Sequence, residues 1–191
     1  MTRLNSLLRA AVLTIAAAGI ASAPATAKTM TKTVMVGGAA MYPSKDIIDN
    51  AVMSKDHTTL VAAVKAAGLV ETLKGAGPFT VFAPTNAAFA KLPAGTVDTL
   101  LKPANKATLT SVLTYHVVAG KMNAADIAAA IKAGGGKAAL TTVQGGTLTA
   151  SMMGKKLMLT DAKGGMSQVT IADVNQSNGV IHVVDTVLLP N

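Results

Sequence analysis

The sequence contains no cysteine and no tryptophan, and only three phenylalanines and two tyrosines in 191 residues. Without cysteine there are no disulfides and no thiolate metal centre. A lipid anchor on an N-terminal cysteine is excluded for the same reason. Arginine occurs only at Arg3 and Arg9. A nucleic-acid surface built from a basic stripe with arginine and aromatic partners is therefore not expected. The longest apolar run near the start, Ala10 to Ile20, covers eleven residues. That is about half of what a membrane-spanning helix needs.

What is present begins with an address. Arg3 and Arg9 precede the apolar run, and two small-x-small sites follow, Ala21-Ser22-Ala23 and Ala25-Thr26-Ala27. This layout predicts an export signal over residues 1–27. Cleavage is expected after Ala27, because the earlier site leaves Pro24 directly after the cut. No transmembrane segment is expected once the signal is removed, and the destination is the periplasm or the exterior. Lys28 to Asn191 is then 164 residues, with 15 lysines against 9 acids. One domain of that length buries roughly 70% of its unfolded surface. Its core must be built from Val, Ile, Leu, Ala and Met.

Along that chain, residues 28–42 are small and polar with Gly37-Gly38, and read as a flexible arm ahead of a domain over 43–191. Ser44 is expected to start a helix, with Asp46 in its first turn. A second helix is expected from Thr58 to a left-handed cap at Gly68. Phe79 to Ala83 reads as a strand, and Thr85 and Thr96 as caps of short helices. Leu109, Val112 and Leu113 mark one face of a further helix, and Asn123 caps another that stops at Gly134-Gly135-Gly136. From Ala138 onward, β-branched and alternating runs are separated by Gly-containing turns, ending in a hairpin at Asn178-Gly179. Helices followed by consecutive strands, with no regular βαβ alternation, point to an α+β fold.

Chemistry-bearing patterns are sparse. No Gly-x-Ser-x-Gly turn is present. Gly134-Gly135-Gly136-Lys137 follows a helix and has no Ser or Thr after its lysine, so it is not a phosphate loop. Asp185 lies three residues after His182, which in a strand places the two on opposite faces. His57, His116 and His182 lack metal-ligand spacing. His57 is expected to be exposed at a helix start, and His116 and His182 to be hydrogen-bonded core histidines. No catalytic, metal or cofactor site is expected.

Three segments carry a family likeness. They are Phe79-Thr80-Val81-Phe82-Ala83-Pro84-Thr85-Asn86 with Ala88-Phe89, then Leu113-Thr114-Tyr115-His116-Val117, then Ser177-Asn178-Gly179-Val180-Ile181-His182-Val183-Val184-Asp185 with Val187-Leu188 and Pro190. In this order they resemble the fasciclin domain family. Tyr42-Pro43-Ser44-Lys45-Asp46-Ile47 is similar to its single-domain bacterial members. The resemblance implies a wedge of antiparallel β-strands packed with several α-helices, and a non-enzymatic role in cell-surface or matrix adhesion. It also implies partner contacts at a Tyr-His segment, here Tyr115 and His116. A second contact is implied at an Asp-Ile pair, here Asp173 and Val174, with Val in place of Ile. The expected partner is a cell-surface or matrix protein or an anionic polysaccharide. The alternative reading is a small-molecule or glycan-binding module of the cell envelope, motivated by the positive charge and by Met152, Met153 and Met158.

Overall fold

The structure, a computed structural model, describes residues 33–190. The export signal expected over residues 1–27 lies outside them. Two short strands, β1 (Val34–Val36) and β2 (Ala39–Met41), form a hairpin. Its Val36 and Met41 are buried in the core. The flexible arm expected over residues 28–42 is thus, from Val34 to Met41, a packed hairpin. The reason is the alternation of Val and Met around Gly37-Gly38, whose positive φ values of 57° and 76° make the turn.

Helices follow: α1 (Ile47–Ala51), α2 (Thr58–Ala67) and α3 (Val70–Lys74). The first is capped by Asp46, whose carboxylate accepts from the Asp49 amide at 2.8 Å, and not by Ser44. Gly68 ends α2 in the left-handed conformation. Strand β3 (Phe79–Pro84) leads into α4 (Asn86–Ala90), capped by the Thr85 hydroxyl. Next come α5 (Thr96–Leu101), α6 (Lys106–Tyr115), β4 (Val117–Ala119) and α7 (Ala124–Ala133). Thr96 is the first residue of α5, and Gly95 stands at its cap. The rest is a meander of β5 (Lys137–Thr141), β6 (Thr147–Met153), β7 (Lys156–Thr160), β8 (Met166–Gln176) and β9 (Gly179–Val184).

Seven strands make one sheet in the order β4-β3-β9-β8-β7-β6-β5. The strands pair antiparallel as expected except at β3 and β9, which pair in parallel from Phe79–Gly179 to Pro84–Val184 and make the sheet mixed. A parallel pair needs a long crossover, and everything from α4 to β8 supplies it. A bridge between Val118 and Thr142 joins the two outer strands, so the sheet curls until its edges meet. Closure hides edges that would otherwise recruit other strands.

Two apolar clusters fill the domain. One lies between helices α1, α2 and α6 and the β3–β9 region, with Ile48, Leu60, Val64, Val81, Leu113 and Ile181. The other lies between α7 and the inner face of the meander, with Ile127, Ile131, Leu140, Leu148, Leu157 and Leu159. In the meander, inner residues are buried and alternate with exposed or half-buried outer ones, the period-two signature of a sheet with one wet face.

Asn178 joins these parts. Its Oδ1 accepts from the Ile47 amide at 3.1 Å, and its Nδ2 donates to the carbonyls of Leu73 and Gly75 at 2.7 and 3.2 Å. Its own carbonyl accepts from the Phe79 amide at 3.0 Å. One residue therefore ties the starts of α1, β3 and β9 to the end of α3, its side chain reaching α1 and α3 and its carbonyl reaching β3. Gly179 follows because β3 runs so close that a Cβ there would overlap the Phe79 carbonyl. The Asn-Gly pair was expected to serve a positive-φ turn, yet neither residue has positive φ.

Candidate functional site

Helix α6 buries Leu109, Val112, Leu113 and Tyr115, and it ends at His116, whose amide returns to the Leu113 carbonyl. The two expected contact residues sit on this helix end and point apart. The His116 ring is 2% exposed. Its Nδ1 lies 2.8 Å from the Val112 carbonyl, and its Nε2 lies 3.0 Å from the Leu188 amide. A carbonyl only accepts and an amide only donates, so Nδ1 carries the hydrogen and Nε2 is the acceptor. The neutral ring is fully satisfied. A second proton would set two N–H groups against each other in an apolar surround. Burial accordingly lowers its pKa to about 4, against a smaller opposing pull from the Val112 carbonyl.

Tyr115 points into the second cluster. Its hydroxyl donates to the Thr147 carbonyl at 2.8 Å and accepts from the Ala162 amide at 3.1 Å. Its ring lies against Gly146, where a Cβ would come within 2.7 Å of the ring edge. Tyr115 thus locks the β5–β6 turn to the β7–β8 turn.

His182, on β9, is fully buried. Its Nε2 donates to the Met122 carbonyl at 2.9 Å, and its Nδ1 faces the Asp173 amide at 3.4 Å. The ring stacks on Phe82 with centroids 5.6 Å apart. Burial holds its pKa below the ordinary histidine value. Asp185 does not reach it; that carboxylate accepts from the Gln168 amide at 2.8 Å and lies 3.5 Å from the Lys91 ammonium.

Asp173 and Val174 occupy a bulge in β8, where the pairing with β9 slips. Asp173 has φ 59°, the only positive φ outside glycine among the described residues. Left-handed backbone is tolerated by aspartate because its short side chain bonds locally. Here Oδ1 accepts from the Ala124 amide at 2.6 Å, at the first turn of α7. Asp126 closes the same turn by accepting from the Asn123 amide at 2.9 Å. Asn123 is the N-cap of α7 as expected and forms a capping box with Asp126, and Asp173 adds a carboxylate from a distant strand to the same turn. Val174 points into the first cluster and is 1% exposed.

The structure brings Asp173 and His182 together, and separates Tyr115 from His116. Of the four expected contact residues, Tyr115, His116 and Val174 are buried and only Asp173 is partly exposed. The first three side chains are not presented to a partner on this surface, because each is committed to a cluster or to backbone groups. His57 also differs from expectation. It is 3% exposed, its Nδ1 is 2.9 Å from the Ser54 hydroxyl, and burial holds its pKa down. With His116 it borders a cavity of about 40 Å³ whose other walls include Met41, Ile48, Leu60 and Val81. No hydroxyl or carboxylate lines that cavity. Among the described residues, no group of three or more His, Asp or Glu is placed to hold a metal.

The fasciclin domain model matches residues 55–190. The chain belongs to the fasciclin domain family. It is 47% identical over 167 residues to protein sll1483 of Synechocystis, covering 85% of this chain and 83% of that one. It is 40% identical over 138 residues to the immunogenic protein MPB70 of Mycobacterium bovis, covering 70% of this chain and 63% of that protein. The cell surface glycolipoprotein MPB83 of the same species is 40% identical over 122 residues, covering 64% of this chain and 48% of MPB83. The fold is that of a FAS1 domain pair from the insect cell adhesion molecule fasciclin I, at TM-score 0.68 and 18% identity, over 76% of this chain and 51% of the pair. The fasciclin chain is thus related in sequence to an immunogenic protein and a cell surface glycolipoprotein of Mycobacterium bovis, and shares its fold with an insect cell adhesion molecule. Among its described residues no helix is long and apolar enough to cross a membrane.

Proposed function

We propose that this fasciclin chain is an exported, non-enzymatic attachment domain that contacts a cell-surface or matrix component from the periplasm or the exterior. The carrying observation is the state of its interior imidazoles. Both nitrogens of His116 and of His182 face backbone groups. Rings held this way brace strands and are not free to move protons for a substrate, which supports a scaffold whose outer surface does the work. The family's tie to an insect adhesion molecule and to a cell-surface glycolipoprotein points the same way.

Attachment of native cells with and without the gene tests this reading. Reduced attachment to at least one surface, restored by the gene, is the expected result; equal attachment across abiotic, polysaccharide and cellular surfaces overturns it. Fractionation of the same cells places the protein in the envelope or the medium.

The small-molecule or glycan alternative is motivated by the positive charge and by Met152, Met153 and Met158, and the internal cavity gives it no support. Its volume of about 40 Å³ is well below the ~150 Å³ that accommodates benzene. A sugar does not fit inside, so glycan recognition by this chain belongs to the outer surface.

A further inference from the structure

We propose that the solvent face of the β5–β8 meander is the contact surface and that its ligand is an anionic polysaccharide. The proposal rests on the attachment reading and gives it a place and a chemistry. Lys137 opens β5 and Lys156 opens β7, with Lys155 in the turn between β6 and β7. All three are exposed. The register sets Lys137 opposite Ser151 and Lys156 opposite Met153 on the intervening strand. Two strand spacings and two residues of offset put their Cα atoms about 12 Å apart. Lys137 and Lys156 therefore share one end of a single face, with Lys155 in the adjoining turn.

Strands β5, β6 and β7 carry no negative charge to answer them. From Ile127 to Thr160 the sequence contains no Asp or Glu. The next acid, Asp161, is 8% exposed, and its oxygens accept from the amides of Lys163, Gly165 and Leu189. Elsewhere lysines do find acids: Lys74 meets Asp49 at 2.8 Å and Lys91 meets Asp185 at 3.5 Å. Lys137, Lys155 and Lys156 form no ion pair among the described residues. A shared positive field without internal compensation attracts an anionic ligand.

The groups between the lysines decide what kind of anion. Thr149, Ser151 and Thr160 share the face, on registers that place Ser151 opposite Met158 and Thr149 opposite Thr160. Hydroxyls suit a ligand that carries hydroxyls. Met153 and Met166, 60% and 48% exposed, offer flat apolar contact to the C–H faces of sugar rings. A protein partner would call for large aromatic anchors near the patch centre, and no Phe, Tyr or Trp occurs from Leu140 to Gln168. A chain of uronic acids presents carboxylates at intervals with hydroxyls between them, which matches lysines separated by threonine and serine.

The test is retention of the full chain, purified from its host's envelope fraction, on polygalacturonate beads. Neutral dextran beads and phosphatidylglycerol vesicles are run in parallel. The intact chain is expected on polygalacturonate alone, with log affinity falling against log salt at a slope of about two for three engaged lysines. The triple variant K137Q/K155Q/K156Q is expected to lose at least about tenfold in affinity. K65Q/K102Q/K106Q removes equal charge from exposed lysines outside the meander and is expected to stay within about twofold. Unchanged melting transitions confirm that both variants fold. Equal losses in the two triples would show a diffuse charge effect and overturn the proposal. Retention on dextran, absence of retention on polygalacturonate, or binding to vesicles alone would each overturn it too. Bead retention that follows the prediction while cells attach equally with and without the gene would remove the attachment function and leave this surface standing. The converse pattern would remove only the surface.

Discussion

Acid should weaken this protein before its carboxylates protonate, and His116 supplies the calculable part of the effect. In the folded chain its pKa is lowered to about 4, while in the unfolded chain it returns to about 6.5. Between those values the unfolded state binds a proton that the folded state refuses. Stability from this group is therefore fully present above about pH 6.5 and is lost progressively as pH falls toward about 4. Going from about pH 7 to about pH 5, the loss from His116 alone is about 2 kcal/mol. His182 and His57 are shifted in the same direction by their own burial, so the observed loss should be at least this large. For a domain of this size the urea midpoint then drops by about 1 M. Urea unfolding at the two pH values measures the loss, and the unchanged slope against urea checks that unfolding remains two-state. The proton count is checked separately by NMR titration of the His116 ring. A flat stability between pH 7 and pH 5, or a folded His116 that titrates near 6.5, would refute the assignment of its two nitrogens to Val112 and Leu188.

Three substitutions probe the other arrangements. Asn178→Ala removes three side-chain bonds that join α1, α3 and β9, and is expected to lower unfolding free energy by about 3 kcal/mol in urea melts. Tyr115→Phe keeps the ring and orphans the Thr147 carbonyl and Ala162 amide; the expected loss is about 1–3 kcal/mol, with attachment per folded molecule unchanged in a binding assay. Asp173→Ala removes one of the carboxylates that cap α7 and leaves a β-carbon at φ 59°, with an expected loss of about 2 kcal/mol, read as early exchange of α7 amides by hydrogen–deuterium exchange.

Local signals made most elements legible. Gly68 after an apolar helix face, Thr85 before Asn86, and the triple glycine after α7 act within one turn of chain, so the sequence pattern alone reports them. The meander was legible for a related reason: with one face wet and one dry, its strands alternate at period two. The N-terminal hairpin escaped because three-residue strands carry too little pattern, and only Val36 and Met41 packing against the first cluster reveals them.

The partner role inferred for Tyr115, His116 and Val174 met a different obstacle. Likeness to a family carries residue identity and leaves open which way each side chain turns. Adjacent residues at a helix end point apart, so Tyr115 and His116 entered different surroundings. Asp173 looked like one half of a contact pair and caps a helix 49 residues earlier. Asn178 read as a turn residue and became a clasp between segments more than 100 residues apart.

The sequence by itself determined the α+β class, the absence of disulfides and a core built from aliphatic residues, because composition and short-range periodicity suffice for each; the fasciclin family followed from the likeness of three segments. Only the tertiary structure decided the parallel β3–β9 pair, the meeting of the sheet's edges, the tautomers of His116 and His182, and the gathering of three lysines at one end of the acid-free strands β5 to β7. Those features depend on which backbone groups and charges become neighbours across long stretches of chain, and that is settled when the two clusters pack.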